Sequence, residues 1–198
     1  MRNLLSRSAA VRALALVAPP AVLASLVLAP GLAAAAVTPT GITDTVHIEL
    51  TKGKLKFVAP PSVTQGDELE IVNETNPKKV GPHTFSLVTK GSLPKTEPAR
   101  KGCFTPKHIC LSVAQWHGFN PKTEQISINP AKAGPAGWST MGSTSKKGDS
   151  WFTGEKPNTS FTQQVTANPG TLYFMCAIHP WMQGKVQVVA PTIIPLGA

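Results

Sequence analysis

Short runs in which apolar and polar residues alternate recur along residues 45–88. The runs cover residues 45–50, 54–58, 68–73 and 83–88. Each keeps the two-residue period of a half-buried strand. Glycine and proline separate the runs, as at Lys52-Gly53, where a turn is expected. Short strands at this spacing predict an all-β sandwich.

Two further apolar runs lie near the end of the sequence and enclose a loop. Residues 172–175 and 186–189 are rich in β-branched and aromatic side chains, which favour strands. Pro180 and Gly184 lie between the runs and are typical of a loop. The pattern predicts two strands joined by a short connection.

Three residues of metal-binding type lie together in that connection. Cys176, His179 and Met182 fall within seven residues, and their thiolate, imidazole and thioether groups suit copper better than calcium or magnesium. A type 1 copper site needs two histidines and one cysteine with a weak axial methionine, and His83 offers the second histidine. The sequence therefore predicts one copper ion held by these four residues. The alternative is that Cys176 is an ordinary buried cysteine.

The C-x2-H-x2-M spacing, followed by M-x-G-K-V, resembles the cupredoxins, the small blue copper proteins, and above all the amicyanin branch of the plastocyanin-like group. The resemblance covers roughly residues 40–90 and 158–190. It implies a Greek-key β-sandwich with His83, Cys176 and His179 around copper and Met182 in the axial position. Many members carry an asparagine directly after the first histidine, where it ties the two ligand loops together. This chain has Thr84 there.

The first 36 residues are typical of a signal peptide. Arg2, Arg7 and Arg12 precede an apolar stretch at 13–28, and the alanines at 33–36 offer a cleavage site. We therefore expect residues 37–198 to form one copper-binding domain that is exported to the periplasm or the cell exterior. An uncleaved membrane anchor is the alternative. No later stretch predicts a membrane span, so stable membrane insertion after cleavage is not expected.

Residues 91–158 are more than a small cupredoxin needs between its first histidine and its cysteine, and we interpret them as an insertion. Ile109, Val113 and Trp116 recur at helical spacing and predict a short helix over 106–117 that begins at Thr105-Pro106. Cys103 and Cys110 can pair in an exported protein, which leaves Cys176 free for a metal. The alternative is that both stay reduced.

The later part of the insertion, residues 130–158, is rich in glycine, serine, threonine, lysine and proline and is expected to be a long loop. Trp138, Met141, Trp151 and Phe152 interrupt it. These apolar side chains either anchor the loop on the sandwich or form a docking patch.

The three histidines outside the predicted copper site are not expected to bind metal. His47 belongs to an alternating strand and should lie on its polar or edge face. His108 and His117 flank the predicted helix and are nine residues apart, so they point in different directions. We expect both at the surface and not in a second metal site.

Basic residues are concentrated in one part of the chain. The formal net charge is +9, and it becomes +6 when the three signal-peptide arginines are removed. The cluster consists of Lys78, Lys79, Lys90, Lys95, Arg100, Lys101 and Lys107. A basic face favours acidic partner proteins, although a merely solvated surface is the alternative. No nucleic-acid recognition motif accompanies the charge, so nucleic acid is not an expected partner.

A closed four-ligand copper site has no open position for a substrate, which favours one-electron transfer over catalysis. We therefore predict a monomeric electron carrier between redox partner proteins, and not an enzyme. The resemblance implies that His179 reaches the surface as the electron port, beside Trp181. The alternatives are a copper-handling or copper-storage protein and a copper-free interaction module. With five histidines and no His-x-His pair, the sequence does not predict a multicopper oxidase.

Overall fold

The computed structural model describes residues 41–124 and 128–192. The predicted signal peptide over residues 1–36 lies outside this part of the chain. No helix among the described residues has the length and apolar character that crossing a bilayer requires.

The described residues form mainly short strands. In chain order the strands are β1 (Thr43–Thr51), β2 (Lys54–Val58), β3 (Ser62–Thr64), β4 (Glu68–Asn73), β5 (Thr84–Leu87), β6 (Lys132–Ala133), β7 (Ser150–Phe152), β8 (Thr159–Gln164), β9 (Gly170–Met175) and β10 (Gln183–Val189). The helices are α1 (Pro77–Val80), α2 (Glu97–Lys101) and α3 (Ile109–Trp116), and a 3-10 turn covers Lys90–Ser92.

The strands make two sheets that pack face to face. One sheet has the order β2-β1-β4-β8, and the other has the order β3-β10-β9-β5-β7-β6. β1 runs parallel to β4, and β3 runs parallel to β10, so the chain crosses between the sheets. The prediction of an all-β sandwich is confirmed.

Aromatic side chains fill the space between the sheets. Phe85 of β5 lies 4.8 Å from Phe174 of β9 and 5.1 Å from Trp138, measured between ring centroids. Phe57 packs edge-on against both phenylalanines. The indole N–H of Trp138 donates to the Leu69 carbonyl at 3.1 Å, so this buried donor is satisfied. This sandwich core fixes β5 and β9 against each other, and these are the strands that lead to the predicted ligands.

A second buried cluster lies under the insertion. Its members are Val88, Cys103, Ile109, Cys110, Val113, Trp116, Ala133, Met175 and Ala177. Cys103 and Cys110 form a disulfide, which resolves the alternatives left by the sequence. We call this the insertion core. It shares β9 with the sandwich core, because Phe174 belongs to the first and Met175 to the second.

The predicted helix over 106–117 exists, but its predicted start is wrong. Helix α3 begins at Ile109, with His108 in the N-cap position. The Thr105 hydroxyl donates to the Gly102 carbonyl at 2.6 Å and therefore stabilises the preceding turn. The end of the helix at Trp116 agrees with the prediction.

The description of residues 130–158 as a long loop is only partly right. Strands β6 and β7 extend the larger sheet from the edge of β5. Trp138 and Trp151 are buried in the sandwich core, and Met141 packs against it. These three side chains therefore anchor the segment, as one of the two interpretations proposed. Phe152 is half-buried.

Candidate metal centre

Three of the four predicted ligands meet in the structure. His83 lies just before β5, Cys176 just after β9, and His179 in the loop that follows. The Cys176 Sγ lies 3.9 Å from the His83 Nδ1 and 3.6 Å from the His179 Nδ1, and the two nitrogens are 3.1 Å apart. In the described part of the chain, this is the one group of histidine, cysteine and acidic residues close enough to hold a metal ion.

The spacing of these three atoms fits a metal ion. A circle through points with those separations has a radius of about 2.1 Å, which matches the usual lengths of metal–nitrogen and metal–sulfur bonds, about 2.0 to 2.3 Å. All three side chains are buried. Buried polar groups of this kind need partners, and one cation in their plane would satisfy all three.

A hydrogen-bond chain fixes the tautomer of His83. The Thr75 hydroxyl donates to the Asn73 Oδ1 at 2.7 Å, so its oxygen accepts from the His83 Nε2–H at 3.0 Å. The Nδ1 lone pair is therefore left free to face Cys176. Burial, with a smaller contribution from the nearby His179, lowers the pKa of His83 to about 4. The imidazole is neutral at physiological pH, as a metal ligand must be.

Hydrogen bonds also surround the Cys176 sulfur. The backbone N–H groups of Thr84 and His179 each donate to it at 3.4 Å. Burial raises the pKa of the Cys176 thiol, and the hydrogen bonds around the sulfur oppose that shift only in part. A thiolate here therefore requires a cation, and its donors are placed to tune a bound metal.

Thr84 makes the tie that asparagine makes in many cupredoxins. Its hydroxyl oxygen accepts from the Ala177 N–H at 2.8 Å, and its own N–H donates to the Cys176 sulfur. The loop that carries His83 is therefore joined to the loop that carries Cys176. The departure from the family pattern leaves the link intact.

Met182 lies in the same loop, and backbone hydrogen bonds fix its position. Its N–H donates to the His179 carbonyl at 2.8 Å, and its carbonyl accepts from the Cys176 N–H at 3.0 Å. The side chain is 2% exposed and belongs to the sandwich core together with Cys176. Its axial role remains a prediction.

His179 is more covered than the sequence suggested. The imidazole is 9% exposed, and its ring hydrogen-bonds the carbonyl of Val80 at the end of α1. Burial lowers the pKa of His179, and that hydrogen bond partly opposes the shift. Trp181 packs edge-on against the ring at 5.1 Å and is 54% exposed. The exposed group beside the ligands is thus Trp181.

The remaining histidines show one error in the sequence interpretation. His47 is half-exposed and pairs with Glu74 at 2.6 Å, and His108 is exposed, as expected. His117 was expected at the surface but is 1% exposed. Its Nδ1 lies 2.8 Å from the Pro130 carbonyl oxygen and its Nε2 lies 2.8 Å from the Ser150 hydroxyl. The insertion folds over this side chain, which the local pattern could not indicate.

Thr75 and Asn73 were missed by the sequence interpretation. Neither residue is a metal ligand type, and Thr75 lies eight positions before the histidine that it orients. A buried histidine that binds a metal through one ring nitrogen needs a hydrogen-bond partner for the other, and this requirement could have pointed to them.

No family model matches the chain, and no curated protein matches it. Among solved structures, the chain is similar to a Cu(I) form of an amicyanin variant, with 17% identity, a TM-score of 0.35, and coverage of 79% of this chain and 90% of that one. For auracyanin B the identity is 14%, the TM-score 0.39, and the coverage 74% and 88%.

Auracyanin A, a "blue" copper protein from the green thermophilic photosynthetic bacterium Chloroflexus aurantiacus, has 19% identity, a TM-score of 0.38, and coverage of 75% of this chain and 98% of that one. Because these identities and TM-scores are low, conclusions about the chemistry of the site rest on its ligand residues.

Proposed function

We propose that this chain is an exported cupredoxin that holds one type 1 copper ion and carries single electrons between partner proteins. The observation that carries the proposal is the buried set of His83, Cys176 and His179, whose ligand atoms lie 3.1 to 3.9 Å apart. Two imidazoles and one thiolate in this arrangement are typical of blue copper sites.

The protein residues would hold the ligands in one geometry. Thr75 keeps the His83 ring in position, and Thr84 joins the two ligand loops. Met182 would supply the weak axial thioether, since its backbone closes the loop that carries His179. Copper held in such a set cycles between two oxidation states, and a rigid ligand set favours that exchange.

Burial of the ligands supports electron transfer over catalysis. All three side chains are buried, so none of the ligands is open to solvent. Trp181, exposed and in contact with His179, is a suitable surface for brief docking, because transient redox complexes bury little area. We therefore expect a monomeric carrier and not an enzyme.

The charge near this end favours acidic partners. Lys78 and Lys79 are exposed on α1, and the next residue, Val80, bonds the His179 ring. Positive charge beside the docking surface attracts acidic proteins at low ionic strength. The Cys103–Cys110 disulfide supports export, since disulfides persist outside the cytoplasm.

The proposal is tested by electrochemistry on the protein loaded with one equivalent of Cu(II). We expect a reversible one-electron wave in the wild type and its loss in Cys176→Ala, which should still fold because the strands do not depend on the sulfur. Met182→Leu should keep the copper but shift the potential. Copper that binds but cannot be cycled would refute electron transfer and favour a copper-handling role.

A further inference from the structure

A cavity of about 670 Å³ lies between the ligand loops and the insertion, and we call it the insertion cavity. Pro82 and Thr84 line it from either side of the first ligand histidine, and Ala177 and Ile178 line it from just after the ligand cysteine. The remaining lining residues belong to the insertion, between positions 104 and 155. The three metal-ligand side chains do not line the cavity, so a molecule there lies beside the metal and not on it. Small-molecule sites usually have volumes of about 300 to 1,000 Å³.

His117 fixes the insertion side of this cavity. Its Nδ1 lies 2.8 Å from the Pro130 carbonyl oxygen, and its Nε2 lies 2.8 Å from the Ser150 Oγ. The backbone carbonyl of His117 also accepts from the Asn129 N–H at 2.8 Å. These bonds hold the segment that begins at Ile128, a lining residue, against the end of α3. Because both ring nitrogens of His117 are engaged within the protein, the histidine shapes the wall and is not itself a binding group.

The end of β7 is fixed to the loop that carries the first ligand histidine. Phe152, a lining residue, lies opposite Thr84 in the antiparallel register of β5 and β7. The next residue, Thr153, donates its N–H to the His83 carbonyl at 3.0 Å, and its hydroxyl accepts from the His83 N–H at 3.0 Å. Walls that are held by hydrogen bonds within the protein need little ordering when a ligand binds, which favours affinity.

Aromatic side chains are concentrated in the lining of the insertion cavity. Phe104, Phe119 and Phe152 are three of the seven phenylalanines of the chain, and all three line it. Phe104 is 49% exposed, and the other two are half-buried. Apolar surface of this kind favours a ligand with an apolar body. The faces of aromatic rings also attract organic cations, above all quaternary ammonium groups.

Glu155 is the acidic residue that lines the cavity, and its side chain is exposed. No hydrogen bond or ion pair joins its carboxylate to another residue in the described part of the chain. The two other polar lining residues, Thr84 and His117, use their side-chain polar atoms within the protein. Glu155 is therefore the group that can select a ligand by charge, and it favours a cation.

The lysines nearest to this region do not cancel the charge of Glu155. Burial lowers the pKa of His117, the hydrogen bond to the Pro130 carbonyl opposes this, and the positive charges of Lys132 and Lys147 lower the pKa further. Neither lysine lines the cavity. The Lys132 ammonium pairs with a buried aspartate at 3.1 Å, and Lys147 is exposed, so that water and salt screen its charge. The charge that borders the cavity itself is negative.

We propose that the insertion cavity binds a small organic cation, an apolar molecule that carries one ammonium group. Its apolar body lies against Phe104, Phe119 and Phe152, and its charge faces Glu155. Aromatic faces and an unpaired carboxylate at one cavity both favour this class of ligand over a neutral or an acidic one. The proposal gives the insertion a role of its own, and it does not depend on the binding of copper.

The test is titration of the metal-free full chain with benzyltrimethylammonium, followed by calorimetry and by amide NMR. We expect saturable binding that shifts the signals of Ala177 and Ile178. Glu155→Gln should weaken the binding about three- to fivefold, and Phe104→Leu about two- to fivefold. Both side chains are exposed, so both variants should fold. Glu97→Gln removes an exposed carboxylate outside the cavity and is the matched control, which should bind as the wild type does.

Each contrary result overturns the proposal. Equal affinities in Glu155→Gln and the wild type would show that the carboxylate does not select the ligand. Neopentylbenzene has the same shape with carbon in place of the charged nitrogen, and binding as tight as that of the cation would mean that the cavity does not recognise charge. Signals that shift around Trp181 and not around the cavity would place the cation on the exposed indole. Absence of saturable binding would also refute the site, whether or not the protein carries copper.

Discussion

The sandwich core and the insertion core differ in how they are held together. In the sandwich core, large side chains from two sheets interlock, and Phe85, Phe174 and Trp138 lie in direct ring contact. The insertion core is smaller and is held by one short helix and the Cys103–Cys110 disulfide. Aromatic packing thus holds the strands that lead to the ligands, while a disulfide stabilises the insertion core.

The two cores meet along β5 and β9, where alternate residues serve different sides. Phe85 and Leu87 point into the sandwich core, whereas Thr84 and Ser86 carry the hydroxyl groups that lead to the insertion. Strand periodicity requires this division. The metal centre is therefore packed from one side by apolar contacts and connected on the other side by polar ones.

The largest effect should follow a cavity in the sandwich core. Phe85→Ala removes a ring that contacts three other aromatic side chains, and we expect a loss of about 3 to 5 kcal/mol in the free energy of unfolding. Urea denaturation measures this loss. Phe104→Ala, at an exposed position of the insertion, is the control and should change stability by less than about 0.5 kcal/mol. Equal losses of unfolding free energy in the two variants would mean that the sandwich core is not packed more strongly than the insertion.

Acid should destabilise the metal-free protein through both regions at once. The pKa of His83 is lowered from its ordinary value of 6.5 to about 4, and the pKa of His117 is lowered as well. Between pH 6.5 and about pH 4 the unfolded chain binds more protons than the folded chain. The stability that comes from keeping these histidines neutral is therefore fully present above about pH 6.5 and is lost as the pH falls toward 4.

Urea midpoints measured at a series of pH values test this dependence. Stability that is constant or increases on acidification would contradict the assignment of buried neutral histidines.

Removal of the disulfide should act mainly on the insertion. Cys103→Ser with Cys110→Ser opens a loop with a sequence separation of seven, and loop-closure entropy predicts a loss of about 2 kcal/mol. Limited proteolysis should then cut within residues 97–118, while copper binding is retained. Loss of copper binding would mean that the insertion core helps to hold the ligands.

The smallest effect is expected at Thr75. Thr75→Val removes the hydroxyl that accepts from the His83 Nε2–H, and such partners of ligand histidines are typically worth about tenfold or more in metal affinity. Competition with a copper chelator measures the change. Thr75→Ser keeps the hydroxyl and should restore the affinity. Equal affinities in the Thr75→Val variant and the wild type would show that the sandwich core alone positions His83.

Local sequence patterns predicted the sandwich better than the insertion. Alternation in residues 68–73 and 83–88 is visible in the chain itself, and the ligand spacing of Cys176 and His179 lies within one loop. Strands β6 and β7 carry no such alternation and exist because β7 pairs with β5, where Ser86 and Ser150 are 64 residues apart in the chain. The burial of His117 likewise depends on distant contacts, and local periodicity contains no signal for them.

Binding of copper by His83, Cys176 and His179 in type 1 geometry can be tested with a single spectrum. One equivalent of Cu(II) is added to the metal-free protein, and the visible absorption and electron paramagnetic resonance are recorded. We expect an intense thiolate-to-copper charge-transfer band with narrow hyperfine splitting. A pale solution with an ordinary tetragonal Cu(II) signal would contradict it, because Cys176 would not be a ligand.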